Sequence, residues 1–587
     1  MQIEGHLKGL KTSERRALER TFRRRVAADQ VVSPELARHL TELSLAIGRQ
    51  VGVLLTRDGE VRNVVVGDAH QLTVPDVGRL RGGVGRFRGL RWVHTHLRGE
   101  PLTQDDLNDL ILLRLDLVAM IEVRSDGLPG RVELAHLAPL TSPNLDAEDA
   151  AQNWASGAEA IEEQPSTNDS EEPFQRVESP DIHRLDFDFL ATMRALEAEM
   201  RRVVGGSERT GQERALVIGL RSEEAHFSET LELVRSAGVV AAGTLRSKAG
   251  KVHPRTVLGR GKLQQTVLES MRRGATVAIF DIDLKPAQAR AFEDATGLKA
   301  IDRTQLILDV FAQRARSGDG KLQVELAQLK YSLPRLTRKD AGLSRLAGGI
   351  GGRGPGETLL EIGRRRIRDR IRKLERQTQR LSRQRDVRRR RRSRRGLPVL
   401  SIVGYTNAGK STLLNAMTAS EVAAANRLFM TLDPTSRRLR FPREGEVIIT
   451  DTVGFLSELP RDLVAAFRAT LEELGDADLL LHVLDAADPR LDEKRRAVES
   501  LLEELELGHL PRLRVLNKID LVDSSRVSEM ARQLDAVAVS AVERQGLGRL
   551  LQVAEGRLRK APSLEDEGMR DRPDEAPFGL DMPRSEH

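Results

Sequence analysis

The apolar positions of this chain change their spacing from region to region, and the spacing sets the elements. Toward the C-terminus, Val399–Val403, Glu446–Thr450, Leu479–Asp485, Arg514–Leu516 and Val537–Val539 read as strands, the first and third as continuous buried runs. In the middle, strands at Ala215–Leu220, Val239–Leu245 and Thr276–Asp281 alternate with helices at Phe227–Ala237, Lys262–Arg273 and Pro286–Thr296, which predicts a parallel sheet. Near the start, Val51–Leu55 and Val61–Val66 flank the turn Asp58-Gly59, and Leu90–His94 is a further strand.

Two narrower stripes follow a different period. Leu322, Leu326, Leu329, Leu333 and Leu336 are spaced four, three, four, three, as are Ile367, Ile371, Leu374, Thr378 and Leu381. Each stripe is too thin for a globular core, so the two are expected to zip together as an antiparallel helical hairpin, with Pro334 ending the first helix early. Between them, six of the ten residues Gly348–Glu357 are glycine. That segment is either a tip lying close against a crowded surface or a flexible connector.

These patterns imply an α/β multidomain fold for the 587 residues. An N-terminal α/β module spans 1–142, a linker 143–182, and a second α/β module 183–320. The hairpin covers 321–395, a nucleotide-binding domain 396–561, and a disordered tail 562–587. The linker is expected to be disordered, because Thr141–Ile182 carries eleven acids against the single base Arg176.

Composition narrows the chemistry. The absence of cysteine excludes disulfides, thiolate catalysis and cysteine zinc sites, and fits a cytoplasmic protein. No apolar run approaches the ~20 residues of a membrane span, and the start, MQIEGHLKGL, has no apolar core of the length a signal peptide is expected to carry. Charge is uneven. Glu357–Arg395 holds seventeen arginines and one lysine against five acids, a net +13. Such a helix repels itself unless it meets an anion lattice, and aromatics are only 3%. Contact with phosphates of a structured RNA is expected rather than base stacking.

The sharpest motif is Gly404-x-x-x-x-Gly409-Lys410-Ser411, between a strand and a helix. Its backbone can wrap a phosphate, Lys410 can reach the terminal phosphates, and Ser411 can ligate Mg²⁺. Downstream lie Thr431 as a candidate switch residue, Asp451-Thr452-Val453-Gly454, Asn517-Lys518-Ile519-Asp520 and Ser540-Ala541. Asp451 is expected to hold Mg²⁺ through water and Gly454 to sense the γ-phosphate. Asp520 can accept from guanine N1–H and the 2-amino group, whereas adenine would leave it unpaired. Phe455 stands where many GTPases carry a water-orienting glutamine, so intrinsic hydrolysis should be slow. Asn407 is either a K⁺-holding residue or a hydrogen bonder within the loop.

Two further motifs are weaker. Gly259-Arg260-Gly261-Lys262 opens a helix, as ordinary helix entry or as an anion holder. His94 and His96 lie on one side of a strand and, with a following carboxylate in Thr103–Asp106, could bind Zn²⁺. That run resembles the JAB/MPN metallopeptidase-like signature, though Leu97 stands for proline, Thr103 for serine, and the loop is one residue short. A degenerate module is expected.

The chain resembles the HflX-type ribosome-associated GTPases across about 210–560. The resemblance rests on 306–336, LSRLAGGIGGRGPGE (343–357), GYTNAGKSTLLNAMT (404–418), TLDPTSR (431–437) and DTVGF (451–455). It implies GTP/GDP as ligand and Mg²⁺ as cofactor, with K⁺ as a further ion, and Lys410, Thr431 and Gly454 as catalytic groups. Nucleotide contacts are expected from Gly404, Tyr405, Thr406, Asn407, Ala408, Gly409, Lys410, Ser411 and Thr412. More come from Phe429, Met430, Thr431, Leu432 and Asp433, from Asp451, Thr452, Val453 and Gly454, and from Asn517, Lys518, Ile519, Asp520, Ser540, Ala541 and Val542. Ser411, Thr431 and Asp451 would serve the metal. The implied partners are the large ribosomal subunit and its RNA, for a monomer that dissociates stalled ribosomes under stress and hydrolyses GTP faster on the ribosome. An RNA remodeller and a module that only holds ribosomes are the alternatives.

Overall fold

A computed structural model describes residues 3–75, 87–138, 173–208, 213–247, 252–315, 317–336, 359–393, 397–418, 435–441, 445–451, 454–455 and 472–560. The chain divides into two compact units, 1–307 and 308–587.

In the first unit the strands β1 (Ile3–Gly5), β2 (Val51–Thr56), β3 (Val61–Val66), β4 (Leu90–His96), β5 (Leu117–Val123), β6 (Pro129–Leu137) and β7 (Phe174–Ser179) form one mixed sheet, in the order β1-β3-β2-β4-β5-β6-β7. Helices α1 (Thr12–Thr21), α2 (Pro34–Ile47) and α3 (Gln104–Leu112) accompany it. The expected hairpin forms, with Gly59 at φ 79 in its turn. The strand expected to end at His94 continues to His96, where β4 runs parallel to β5.

The expectation of a linker over 143–182 is corrected at its C-terminal end. Phe174–Ser179 is the antiparallel edge strand on β6, with Phe174 and Val177 packed on the core. Pairing to a preformed edge satisfies the backbone of a segment whose own composition is too polar to fold alone.

Helix α4 (Phe189–Glu208) leads into a four-stranded parallel sheet of β8 (Arg214–Gly219), β9 (Val240–Arg246), β10 (Val277–Phe280) and β11 (Lys299–Ile301), in the order β11-β10-β8-β9. Its helices are α5 (Glu224–Ser236), α6 (Arg260–Arg273) and α7 (Pro286–Thr296); α8 (Arg303–Arg314) follows β11. Val267 and Met271 of α6 join the apolar core of the seven-stranded sheet, so the two sheets of this unit share buried surface.

The second unit holds α9 (Gly318–Ser332) and the 35-residue α10 (Leu359–Ser393). They pack through Leu326, Ile371 and Leu374, flanked by Leu322, Leu329, Leu333 and Ile367, so the four-three stripe is the contact. A single 3₁₀ turn at Leu333–Arg335 holds Pro334 and terminates α9. Ion pairs Arg370–Glu325 and Lys330–Glu375 flank the seam. The Gly-rich segment 348–357 lies outside the described residues.

The remaining strands are β12 (Val399–Gly404), β13 (Thr435–Arg440), β14 (Glu446–Asp451), β15 (Leu479–Asp485), β16 (Arg512–Asn517) and β17 (Ala536–Ala538), ordered β13-β14-β12-β15-β16-β17. Only β13 is antiparallel. Helices α11 (Lys410–Thr418), α12 (Leu491–Glu504), α13 (Ser524–Gln533) and α14 (Leu547–Lys560) belong to it.

Candidate functional site

The site forms at the C-terminal ends of β12, β14, β16 and β17. Crevices at the carboxyl ends of parallel strands are where such sheets bind ligands. β12 delivers Gly404 to the edge of the sheet, and the chain must turn at once to start α11. Gly404 has φ 152, and a Cβ there would sit 2.4 Å from the Val483 carbonyl oxygen of β15. Gly409 has φ 89, with Asn517 Nδ2 at 2.3 Å from the place its Cβ would take. Both positions therefore demand glycine. Asn407, at φ 64, is exposed on the same turn.

Asn517 ties the phosphate loop to the base-recognition loop. Its Nδ2 donates to the Ala408 carbonyl at 2.9 Å, and its Oδ1 accepts from Ala541 N–H at 3.0 Å. Ser540 Oγ donates to Asp520 Oδ1 at 2.6 Å, which orients that carboxylate. Lys518, at φ 63, pairs with Asp485 at 2.7 Å. The loops after β16 and β17 thus meet the loop after β12, as base and phosphate recognition require. Ser540 and Ala541, expected among the nucleotide contacts, have their backbone N–H groups engaged within the protein. Here Ser540 N–H goes to the Gln545 carbonyl and Ala541 N–H to Asn517. Val542 is exposed.

Lys410 is buried, and its ammonium donates to the Tyr405 carbonyl at 2.8 Å. Desolvation pushes its pKa down to about 8, against a smaller raising effect of Asp451. Ser411 Oγ donates to Asp451 Oδ2 at 2.7 Å. A hydroxyl and a carboxylate at this separation, beside the lysine, are a hard-oxygen set that fits Mg²⁺.

One feature of the site was not foreseen. Phe455 forms a parallel bridge with Tyr405, donates its N–H to Gly404 O and accepts from Thr406 N–H. The segment after Asp451 is thereby laced to the phosphate loop, while the Phe455 side chain is buried. The apolar residue after Gly454 was the available signal. Gly454 itself lies against Thr406 and Lys410. Phe429, Met430, Thr431, Leu432, Asp433, Thr452 and Val453 lie outside the described residues. In the first unit, the structure brings His94, His96 and Asp106 together.

Matches to family models run from residue 224 to residue 518. Residues 224–312 match a family described as GTP-binding GTPase N-terminal, and 314–392 match GTP-binding GTPase Middle Region. Residues 399–518 match 50S ribosome-binding GTPase. The GTPase HflX of Caldanaerobacter subterraneus is 47% identical over 352 residues, 60% of this chain and 81% of that protein. The GTPase HflX of Escherichia coli is 49% identical over 297 residues, 51% of this chain and 70% of that protein. Among solved structures, a GTP-binding protein of Sulfolobus solfataricus in complex with GDP aligns with 60% of this chain and all of its own at 23% identity, with a TM-score of 0.36.

Proposed function

Because this chain belongs to the HflX family of GTPases, we propose that its GTPase cycle controls attachment to the large ribosomal subunit and splits stalled ribosomes into subunits. The observation that carries this reading is one unit holding both a phosphate loop welded to a base-recognition loop and the arginine-rich helix α10. GTP binding orders the switch segments and fixes the basic arm; hydrolysis resets the affinity for ribosomal RNA. The protein acts as a monomer in the cytoplasm, partly bound to ribosomes. Among the described residues no helix is long and apolar enough to cross a membrane.

In this reading Lys410 neutralises the terminal phosphates, Gly454 N–H senses the third one, and Asp520 selects guanine. Ser411, Asp451 through water, and Thr431 would hold Mg²⁺, which would supply charge stabilisation to the bound phosphates. With Phe455 turned into the core, water positioning needs help from the ribosome or from a K⁺ held at Asn407.

The test is sedimentation with large subunits in GTP, GDP and no nucleotide, followed by a splitting assay with a nonhydrolysable GTP analogue in matched K⁺ and Na⁺ buffers. GTP-dependent comigration, splitting by the analogue and faster GTP turnover in K⁺ are expected. Association that ignores the nucleotide would overturn the switch, and equal turnover in the two salts would remove K⁺. Stimulation by plain duplex RNA as strong as by subunits would favour the RNA-remodelling alternative. Comigration without splitting would favour a ribosome-holding module.

A further inference from the structure

Positive charge gathers at the start of the N-terminal module. Residues 8–25 hold two lysines and six arginines against two acids, a net +6, whereas 26–142 hold thirteen bases against fifteen acids. Helix α1 sorts this charge by its period. Leu18 and Thr21 are buried and Ala17 packs on the core, so the opposite side of α1 meets solvent. Arg16, Arg20 and Arg23 stand on that side at i, i+4 and i+7, all exposed. Arg23 continues the last turn, its N–H donating to the Arg20 carbonyl at 3.1 Å. The three span about 10 Å along the helix axis.

Folding does not account for this row. Neighbouring cations are tied inside the protein: Arg15 donates to the Leu7 carbonyl, Arg24 to the Glu35 carbonyl, and Arg25 pairs with Glu60. Arg16, Arg20 and Arg23 have no hydrogen bond or ion pair from their side chains among the described residues, and Glu19 of the same helix pairs with none of them. Like charges at i+3 and i+4 destabilise a helix, so the row works against α1 itself. The helix dipole favours a cation in the last turn, which covers Arg20 but not Arg16. The field also reaches inward. His39 of α2, whose Nε2 lies 3.1 Å from Thr21 Oγ1, is held below the usual histidine pKa by burial and then by the charges of Arg24 and Arg20.

The chemistry of the row selects its partner. Guanidinium groups grip phosphates through two parallel hydrogen bonds. A row of one sign, free of carboxylates, suits a nucleic-acid backbone, whose charges are of one sign and evenly spaced. A lipid surface asks for exposed apolar residues beside the cations. Here the apolar side of α1 is buried, and the exposed large apolar side chains among the described residues, Leu45, Val252, Leu521 and Val542, lie elsewhere. Helix α1 has no aromatic residue, so the contact is to phosphates and not to bases.

The row is carried on a fixed support. Asp105 of α3 pairs with Arg260, the first residue of α6, at 2.8 Å, and Asp109 approaches Arg260 at 3.7 Å. Asn108 Oδ1 accepts from Gln264 of α6, and Arg114 donates to Ser270 Oγ and to the Thr296 carbonyl. This seam joins the seven-stranded sheet to the parallel sheet within one compact unit.

We propose that Arg16, Arg20 and Arg23 form a phosphate-gripping face of the N-terminal module that binds the backbone of structured RNA, whichever nucleotide the GTPase domain holds. The face lies outside the family match at 224–518. The choice of RNA over DNA rests on the reading of a ribosome-bound protein; the face itself does not.

The test labels the full chain with phenylglyoxal, which modifies accessible guanidinium groups, in GTP and in GDP, alone and with an RNA duplex of about 16 base pairs. RNA should slow labelling of Arg16, Arg20 and Arg23 several-fold, equally in both nucleotides, and high salt should abolish the protection. R16Q/R20Q/R23Q, with an unchanged thermal transition, should lower the slope of log affinity against log salt by about 2 to 3, and R16K/R20K/R23K should restore it. Arginines of α10 report separately in the same digest. If RNA protects them and leaves the three on α1 reactive, the proposal fails while the reading of the basic arm stands. Protection by duplex DNA or by phosphatidylglycerol vesicles, without protection by RNA, would also overturn it. So would slow labelling in the free chain, since 139–172 carries nine acids and no base and would then be the occupant. Protection with an unchanged salt slope in R16Q/R20Q/R23Q would mean that the three are shielded without gripping phosphate, and the proposal fails.

Discussion

Two loops in this molecule carry glycine, then glycine-lysine, at the start of a helix, and they are built differently. At Gly404–Ser411 the backbone enters the left-handed region at both glycines, and a Cβ at either would strike β15 or Asn517. At Gly259–Lys262, Gly259 has φ −68, and a Cβ on Gly259 or Gly261 would meet nothing within 4 Å. Lys410 is buried against a loop carbonyl, whereas Lys262 reaches sideways to Gln265 and Arg260 is drawn to Asp105 and Asp109. The first is a cradle, and the second is ordinary helix entry whose cation serves a seam. The letters are similar, but what separates the loops is a backbone path that leaves glycine no alternative.

The largest consequence is expected at Gly409. Gly409→Ala adds a Cβ at φ 89 and pushes Asn517 away from Ala408. Strain and lost coupling of ~3 kcal/mol correspond to about 100-fold weaker nucleotide binding. Fluorescent GDP titration of the purified variant checks it, with the thermal transition as control. Unchanged affinity would mean that the cradle geometry is not what binds.

Next in size is a pH effect at Lys410. Its pKa, about 8 in the nucleotide-free protein, lies below the ordinary value of 10.5. The unfolded chain therefore binds more protons between those values, so this group makes the nucleotide-free protein more stable as pH rises through that window. Nucleotide binding runs the other way. Phosphates return the lysine to its charged form, binding takes up a proton above pH 8, and affinity should fall toward tenfold per pH unit there. Calorimetry in buffers of different ionisation enthalpy measures the uptake directly. No proton uptake at pH 9 would show that Lys410 is already charged before nucleotide binds.

The contrast also explains what the sequence could and could not disclose. The phosphate loop and the Asn517–Asp520 motif were legible because nucleotide recognition forces residue types at fixed spacing. The leucine stripes were legible because helical periodicity is local. The strand at Phe174–Ser179 was hidden in an acidic segment, since its order comes from β6 and not from itself. Phe455 announced a missing glutamine, but its backbone bridge to Tyr405 depends on where two distant loops meet. The seam through Arg260 was masked for the same reason, because its partners lie some 150 residues earlier in the chain.

The smallest expected effect is the sharpest check on the contrast. Gly261→Ala should leave GTP and GDP affinity within twofold of the parent, since open space and an ordinary helical start accommodate a methyl group. Alanine inside the first turn of α6 should even stabilise the helix by up to ~1 kcal/mol, through the smaller entropy it loses on folding. Thermal unfolding monitored with and without nucleotide separates the two claims. A nucleotide-dependent loss in G261A would mean that the loop at α6 contacts a phosphate after all, and the distinction between cradle and helix entry would have to be redrawn.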